Sequence, residues 1–113
     1  MTREDRERFE SLLRERERET EEQLSLNAEA TRPVSLDAAI GRVTCVDAIQ
    51  HQQMALHAKR RLGMQLEKIR AALRRLDDGT YGECALCGED IDRGRLEVAP
   101  EAPTCLECQR RLD

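Results

Sequence analysis

Four cysteines in two close pairs constrain this chain more than any other feature. Cys84-Ala-Leu-Cys87 and Cys105-Leu-Glu-Cys108 are separated by 17 residues. That is the spacing of a four-thiolate zinc site. Each two-residue turn brings two sulfurs together, and two such turns complete a tetrahedron around Zn2+. Gly82 and Gly88 flank the first pair, where a residue without Cβ lets the backbone tighten around a metal. Disulfides compete with this reading. The N-terminus MTREDRERFESLLRERERE has no apolar stretch of the kind an export signal needs, and disulfides do not persist in a reducing compartment. A thioredoxin-like redox motif would need a βαβ setting and one pair rather than two. The expectation is one structural Zn2+ on Cys84, Cys87, Cys105 and Cys108. With four thiolates no coordination position is left for a catalytic water.

A metal staple also explains how so polar a chain folds at all. Of 113 residues, 37% are charged and 2% aromatic, with one Phe, one Tyr and no Trp. Aromatic-walled cofactor pockets and base-stacking platforms for single strands are therefore excluded. No apolar run reaches the ~18 residues of a membrane span, so a cytoplasmic protein without membrane association is expected. A net charge of -4 argues against binding DNA phosphates over the whole surface. The composition suits either a disordered chain or a helical hairpin beside a metal-held module. The cysteines select the second.

The hairpin is read from two long segments. Thr2-Arg-Glu-Asp5 fits a helix-start pattern, and no Pro or Gly interrupts the chain from there to about Thr31. The expected apolar stripe is Phe9, Leu12, Leu13, Leu24, Leu26 and Ala28. It is thin, so this helix needs a partner. Arg32-Pro33 ends it, and residues 33–43 read as a connector with Gly41 as a break. Thr44-Cys-Val-Asp47 is a second start pattern. Leu62, Leu66, Ile69, Leu73 and Leu76 then form a heptad seam, diluted toward the connector into Ala48, Gln52, Ala55 and Lys59. Gly79 stops the second helix as a left-handed cap. The fold class expected is mainly α: an antiparallel coiled-coil hairpin over residues 1–78, its tip at about 33–43, and a C4 zinc-finger module over 79–113. Arg93-Gly94 reads as the turn of a short strand pair within that module.

Other candidates have bland readings. Asp47 suits a helix N-terminus and Asp37 a polar loop. His51 and His57, six apart, cannot share a helix face as metal ligands and read as solvated. Lys59-Arg60-Arg61 and Arg74-Arg75 make the middle of the chain basic, which fits a solvated face or an acidic partner. Cys45 reads as a small residue near a helix start, with a redox-sensitive thiol as the sharper alternative.

The stretch Gly79-Thr-Tyr-Gly-Glu-Cys84-Ala-Leu-Cys87-Gly, with Ile91, Arg95-Leu96, Pro100 and Cys105-Leu-Glu-Cys108, resembles the zinc finger of the DksA/TraR family. The hairpin before it extends the resemblance to most of the chain. The resemblance implies a bacterial transcription regulator that binds RNA polymerase directly. Its coiled coil would enter the secondary channel and modulate initiation without recognising DNA sequence. It also implies that the tip acts near the polymerase active centre. The family's best-known Asp-x-x-Asp-x-Ala tip run is absent, and Asp37, Asp47 and Ala48 are the nearest elements. Some members act with ppGpp; binding of ppGpp is not expected here. Nothing in the residues points to an enzyme, since no nucleophile–base pair or phosphate loop is legible. A zinc-stapled adaptor and a thiol-based redox sensor are the alternative functions.

Overall fold

In the computed structural model, residues 1–30 and 42–113 are described, with side chains for 1–28 and 48–113. The elements are α1 (Arg3–Ala30), α2 (Arg42–Asp78), α3 (Arg93–Val98) and α4 (Leu106–Leu112). The expected connector and tip, residues 33–43, lie largely outside the described residues.

Helix α1 begins as its first residues dictate. The Asp5 amide donates to Thr2 Oγ1 at 3.1 Å, and the Thr2 amide donates back to the Asp5 carboxylate at 3.4 Å. The box satisfies amides that a helix start leaves free. Helix α2 starts at Arg42, two residues before the expected Thr44. Arg42 and Val43 carry no breaker and continue the helix back toward Gly41, so Thr44 sits inside the first turn. At the other end Gly79 adopts φ 81°. There the amides of Thr80 and Tyr81 both donate to the Arg75 carbonyl, at 3.0 and 3.2 Å, as in a glycine-capped helix end.

The two helices pack on each other over a seam close to the heptad reading. Leu62, Leu66, Ile69, Leu73 and Leu76 are all buried, and Ala55 extends the line. Beyond Leu62 the half-buried residue is Ala58, and Lys59 is exposed. A long charged side chain at a seam edge turns to water when an alanine one position away can close the gap. On α1 the buried line runs through Phe9, Leu13 and Thr20, then the half-buried Leu24 and Asn27. Leu26 is 71% exposed and Ala28 is exposed as well. Apolarity misplaced the stripe, because the 3.5-residue period from Phe9 and Leu13 passes through Thr20. Arg70 reaches across the seam to Glu17 at 3.4 Å and Glu21 at 2.9 Å.

After α2 the chain folds back beside the start of α1. No strand pair forms around Arg93-Gly94. That segment is the short helix α3, and Leu96 on it is buried. Among the described residues the one bridge between extended residues joins Glu83 and Asp90, across the first cysteine turn. Helix geometry wins because one turn swings Leu96 inward while its amide bonds to the Asp92 carbonyl at 3.2 Å. Phe9, Leu13, Ile69, Leu73, Leu76, Tyr81, Ile91 and Leu96 thus belong to one continuous core.

At its centre, Phe9 and Tyr81 pack with ring centroids 5.6 Å apart and planes inclined by 48°. Such tilted pairs are favourable beyond their buried area. The Tyr81 hydroxyl donates to the Pro100 carbonyl at 2.8 Å. Burial, with the Glu101 and Glu97 carboxylates nearby, holds the phenol protonated well above its usual range. Ion pairs fasten the same junction: Arg8 to Glu97 at 2.6 Å, Arg93 to Asp5 at 2.8 Å and Arg16 to Glu101 at 3.3 Å. Arg16 also donates to the Val98 carbonyl at 2.7 Å.

Phe9→Ala should lower the unfolding free energy of the zinc-loaded protein by ~3–5 kcal/mol, from lost transfer energy and a cavity. Leu26→Ala should change it by less than about 0.5 kcal/mol. Urea denaturation of the two variants side by side checks this, and equal losses would contradict the placement of the stripe.

Candidate metal centre

The sulfurs of Cys84, Cys87, Cys105 and Cys108 all lie within 4.8 Å of one another. The Cys87 and Cys105 sulfurs are 3.8 Å apart. A zinc–sulfur tetrahedron with ~2.3 Å bonds has edges of about 3.8 Å, so the donor set has the size of a zinc cage. All four are free thiols.

Local backbone builds each half. The Glu83–Asp90 bridge closes the loop around the first pair, with the Cys84 amide donating to the Glu89 carbonyl at 2.8 Å. The Gly88 amide returns to the Cys84 carbonyl at 3.0 Å, with φ 77° at Gly88. That left-handed conformation is what glycine supplies after the second thiol. Cys105 precedes α4, and its carbonyl accepts from the Gln109 amide at 2.9 Å. A single turn therefore separates it from Cys108. The Ala85 amide donates to the Pro103 carbonyl at 2.9 Å, fastening the two halves together.

Burial is uneven: Cys84 and Cys108 face the core, Cys105 is half-buried and Cys87 is exposed. Hydrogen bonds from the Cys87 amide and its neighbours pull the Cys84 thiol down to about 6. The thiol of Cys108 is pushed up to about 12, chiefly by its hydrogen bond to Cys105 and by burial. One sulfur is ready to be an anion while another in the same cluster resists. Four thiolates this close need a dication among them, and Zn2+ supplies that charge.

The remaining sequence candidates do not join this centre. Asp37 lies outside the described residues. Asp47 and Cys45 fall in the first turns of α2, with their side chains outside the description. Ala48 is half-buried on α2, and His51 and His57 are both exposed. Sequence reasoning missed the junction beside the metal centre, where Phe9 meets Tyr81 and Arg16 meets Glu101. The scarcity of aromatics was the available signal, because a chain with one Phe and one Tyr has few ways to use them.

The architecture defines a class: a mainly helical hairpin joined to a C4 zinc finger that takes one Zn2+. Residues 79–113 match the family described as prokaryotic dksA/traR C4-type zinc finger. The matched segment is the finger alone, about a third of the chain. It is 36% identical over 64 residues to the RNA polymerase-binding transcription factor DksA of Haemophilus influenzae, covering 55% of this chain and 44% of that protein. It is 41% identical over 58 residues to the protein of the same name from Caulobacter vibrioides, covering 51% and 41%. These matches span less than half the length of either relative. The structure of transcription factor DksA2 from Pseudomonas aeruginosa is similar over 99% of this chain and 85% of that one, with a TM-score of 0.79 and 28% identity.

Purified protein should contain about one zinc per chain by elemental analysis, and Cys84→Ser should lose it together with the folded finger. Zinc should also be released on acidification, because protons compete with the metal for the four thiolates. A chromogenic chelator read against pH checks this. Zinc retention independent of pH down to strong acid would contradict thiolate ligation.

Proposed function

We propose that this protein is a transcription regulator that binds RNA polymerase directly and inserts its helical hairpin into the secondary channel. The observation that carries this reading is the pairing of a slender body, 60 × 29 × 20 Å, with a finger shared with proteins named for binding RNA polymerase. An object 20 Å across in its thinnest dimension suits entry into a channel, and a metal-held base suits a stop at its mouth.

In this reading residues 1–78 are the reaching part and residues 79–113 the base, with Cys84, Cys87, Cys105 and Cys108 as the zinc ligands. Asp37, Asp47 and Ala48 form the end that approaches the polymerase active centre. The protein works in the cytoplasm, beside its partner, and modulates initiation without reading DNA sequence. Its finger has four thiolates for one zinc, which leaves that metal a structural part.

The protein should co-purify with core polymerase after nuclease treatment and be displaced by a transcript-cleavage factor that occupies the same channel. Binding indifferent to that competitor would refute channel insertion. Asp37→Asn and Asp47→Asn should alter open-complex lifetime severalfold while leaving affinity within about twofold. Unchanged lifetimes in both would reduce these carboxylates to loop and helix-end roles.

A further inference from the structure

Helix α2 contains one glycine, and nothing in the packing asks for it. Gly63 interrupts a helix of 37 residues that holds no proline and no second glycine. A Cβ built on Gly63 meets nothing within 4 Å, so no neighbour excludes a side chain there. Its backbone is also outside the left-handed region that Gly79, Gly82 and Gly88 occupy. Alanine would fit the site and hold the helix better, because glycine leaves the backbone more freedom to lose. What Gly63 contributes is a weak point in an otherwise uninterrupted rod.

The weak point falls where the seam changes character. On the finger side, Ile69, Leu73 and Leu76 share one core with Phe9, Leu13 and the finger. Arg70 clasps Glu17 and Glu21 on the same stretch. On the other side, beyond Leu62, α2 offers Ala58, Ala55, Gln52 and Ala48 to the seam. Beyond Glu21, α1 offers Leu24 and Asn27, both only half-buried. The Asn27 Oδ1 is buried there without a hydrogen-bond partner. Closing the seam costs that oxygen its water, and opening it returns the water. Small and polar residues with one aliphatic side chain interlock little, so this half has few buried contacts to lose on moving.

We infer that Gly63 is a hinge, about which the outer half of the hairpin swings as a unit while the inner half and the finger stay one rigid body. The moving part is α2 before Gly63 together with α1 beyond Glu21. Helix α2 bends at the glycine, and α1 follows because its seam there has little interlocked packing to disturb. Hinges of this kind need only a few residues that absorb the change in backbone angles. The direction of the hairpin's far end is thereby set separately from the seating of the finger. The inference stands on the free protein and does not depend on the polymerase reading.

The test measures backbone N–H residual dipolar couplings on the zinc-loaded full chain in a weakly aligning medium. In wild type the order fitted over residues 48–62 should be about 0.7–0.8 of that over residues 64–78, with a step at residue 63. Gly63→Ala, which has room for its methyl group, should raise that ratio to about 0.95 or more. Asn27→Leu should raise it as well, by giving the outer seam an interlocking side chain. Ala71→Gly places a glycine where the seam is apolar. It should lower stability yet leave the ratio at its wild-type value, which separates a hinge from a general weakening of the helix. A wild-type ratio near one overturns the hinge, as does a ratio that Gly63→Ala does not move. A gradual decline toward residue 48 without a step at 63 overturns it too, since that is fraying from the far end.

Discussion

The contact between Phe9 and Tyr81 is where the hairpin and the finger become one body. The chain has a single phenylalanine and a single tyrosine, and it has set them against each other. Phe9 comes from the second turn of α1, and Tyr81 lies between the cap of α2 and the first cysteine. The tyrosine is fixed twice over, by the ring in front of it and by the Pro100 carbonyl at its hydroxyl. From that point the core runs up the hairpin through Leu13 and Ile69 and down into the finger through Ile91 and Leu96. Without it, two weakly apolar helices would meet a finger with little beneath it.

The metal centre supports this junction from the other side. Cys84 and Cys108 belong to the same buried cluster as Phe9, so the thiols that hold the cage also form part of the floor under the aromatics. Metal binding and hairpin packing are therefore linked. Free energy gained by gathering four thiolates around a dication is also spent on ordering the surface that Phe9 covers. The arginines on α1 add direction rather than bulk. Arg8 and Arg16, two turns apart, each reach the finger, which fixes how it sits along the helix axis.

Much of this was legible in the residues because two patterns are close to unambiguous. Paired C-x-x-C turns specify a cluster whatever lies between them, and Leu62 to Leu76 follow the heptad without exception. The errors share one cause: local chemistry was trusted where tertiary packing decided. Thr20 joins the seam although it is polar, because the helical period delivers it to the same face as Leu13, two turns on. Leu26 is apolar and stays in water. Arg93-Gly94 looked like a turn, yet burying Leu96 draws the segment into a helix. The junction was the least legible part, since Phe9–Tyr81 and Arg16–Glu101 join residues far apart in the chain with no spacing rule to announce them. The reading of Asp37, Asp47 and Ala48 as a tip depended on family likeness from the start.

The charges along the two helices differ in kind. On the outer face of α1, arginines and glutamates neutralise one another within the helix: Arg3 with Glu7, Arg14 with Glu10 and Glu17, Arg18 with Glu15 and Glu22. On α2, Lys59, Arg60 and Arg61 are exposed and make no ion pair among the described residues. One flank of the shaft is electrically quiet and the other is not. In the proposed insertion into a channel, that asymmetry would bias the rotational angle of approach through the charges of the wall.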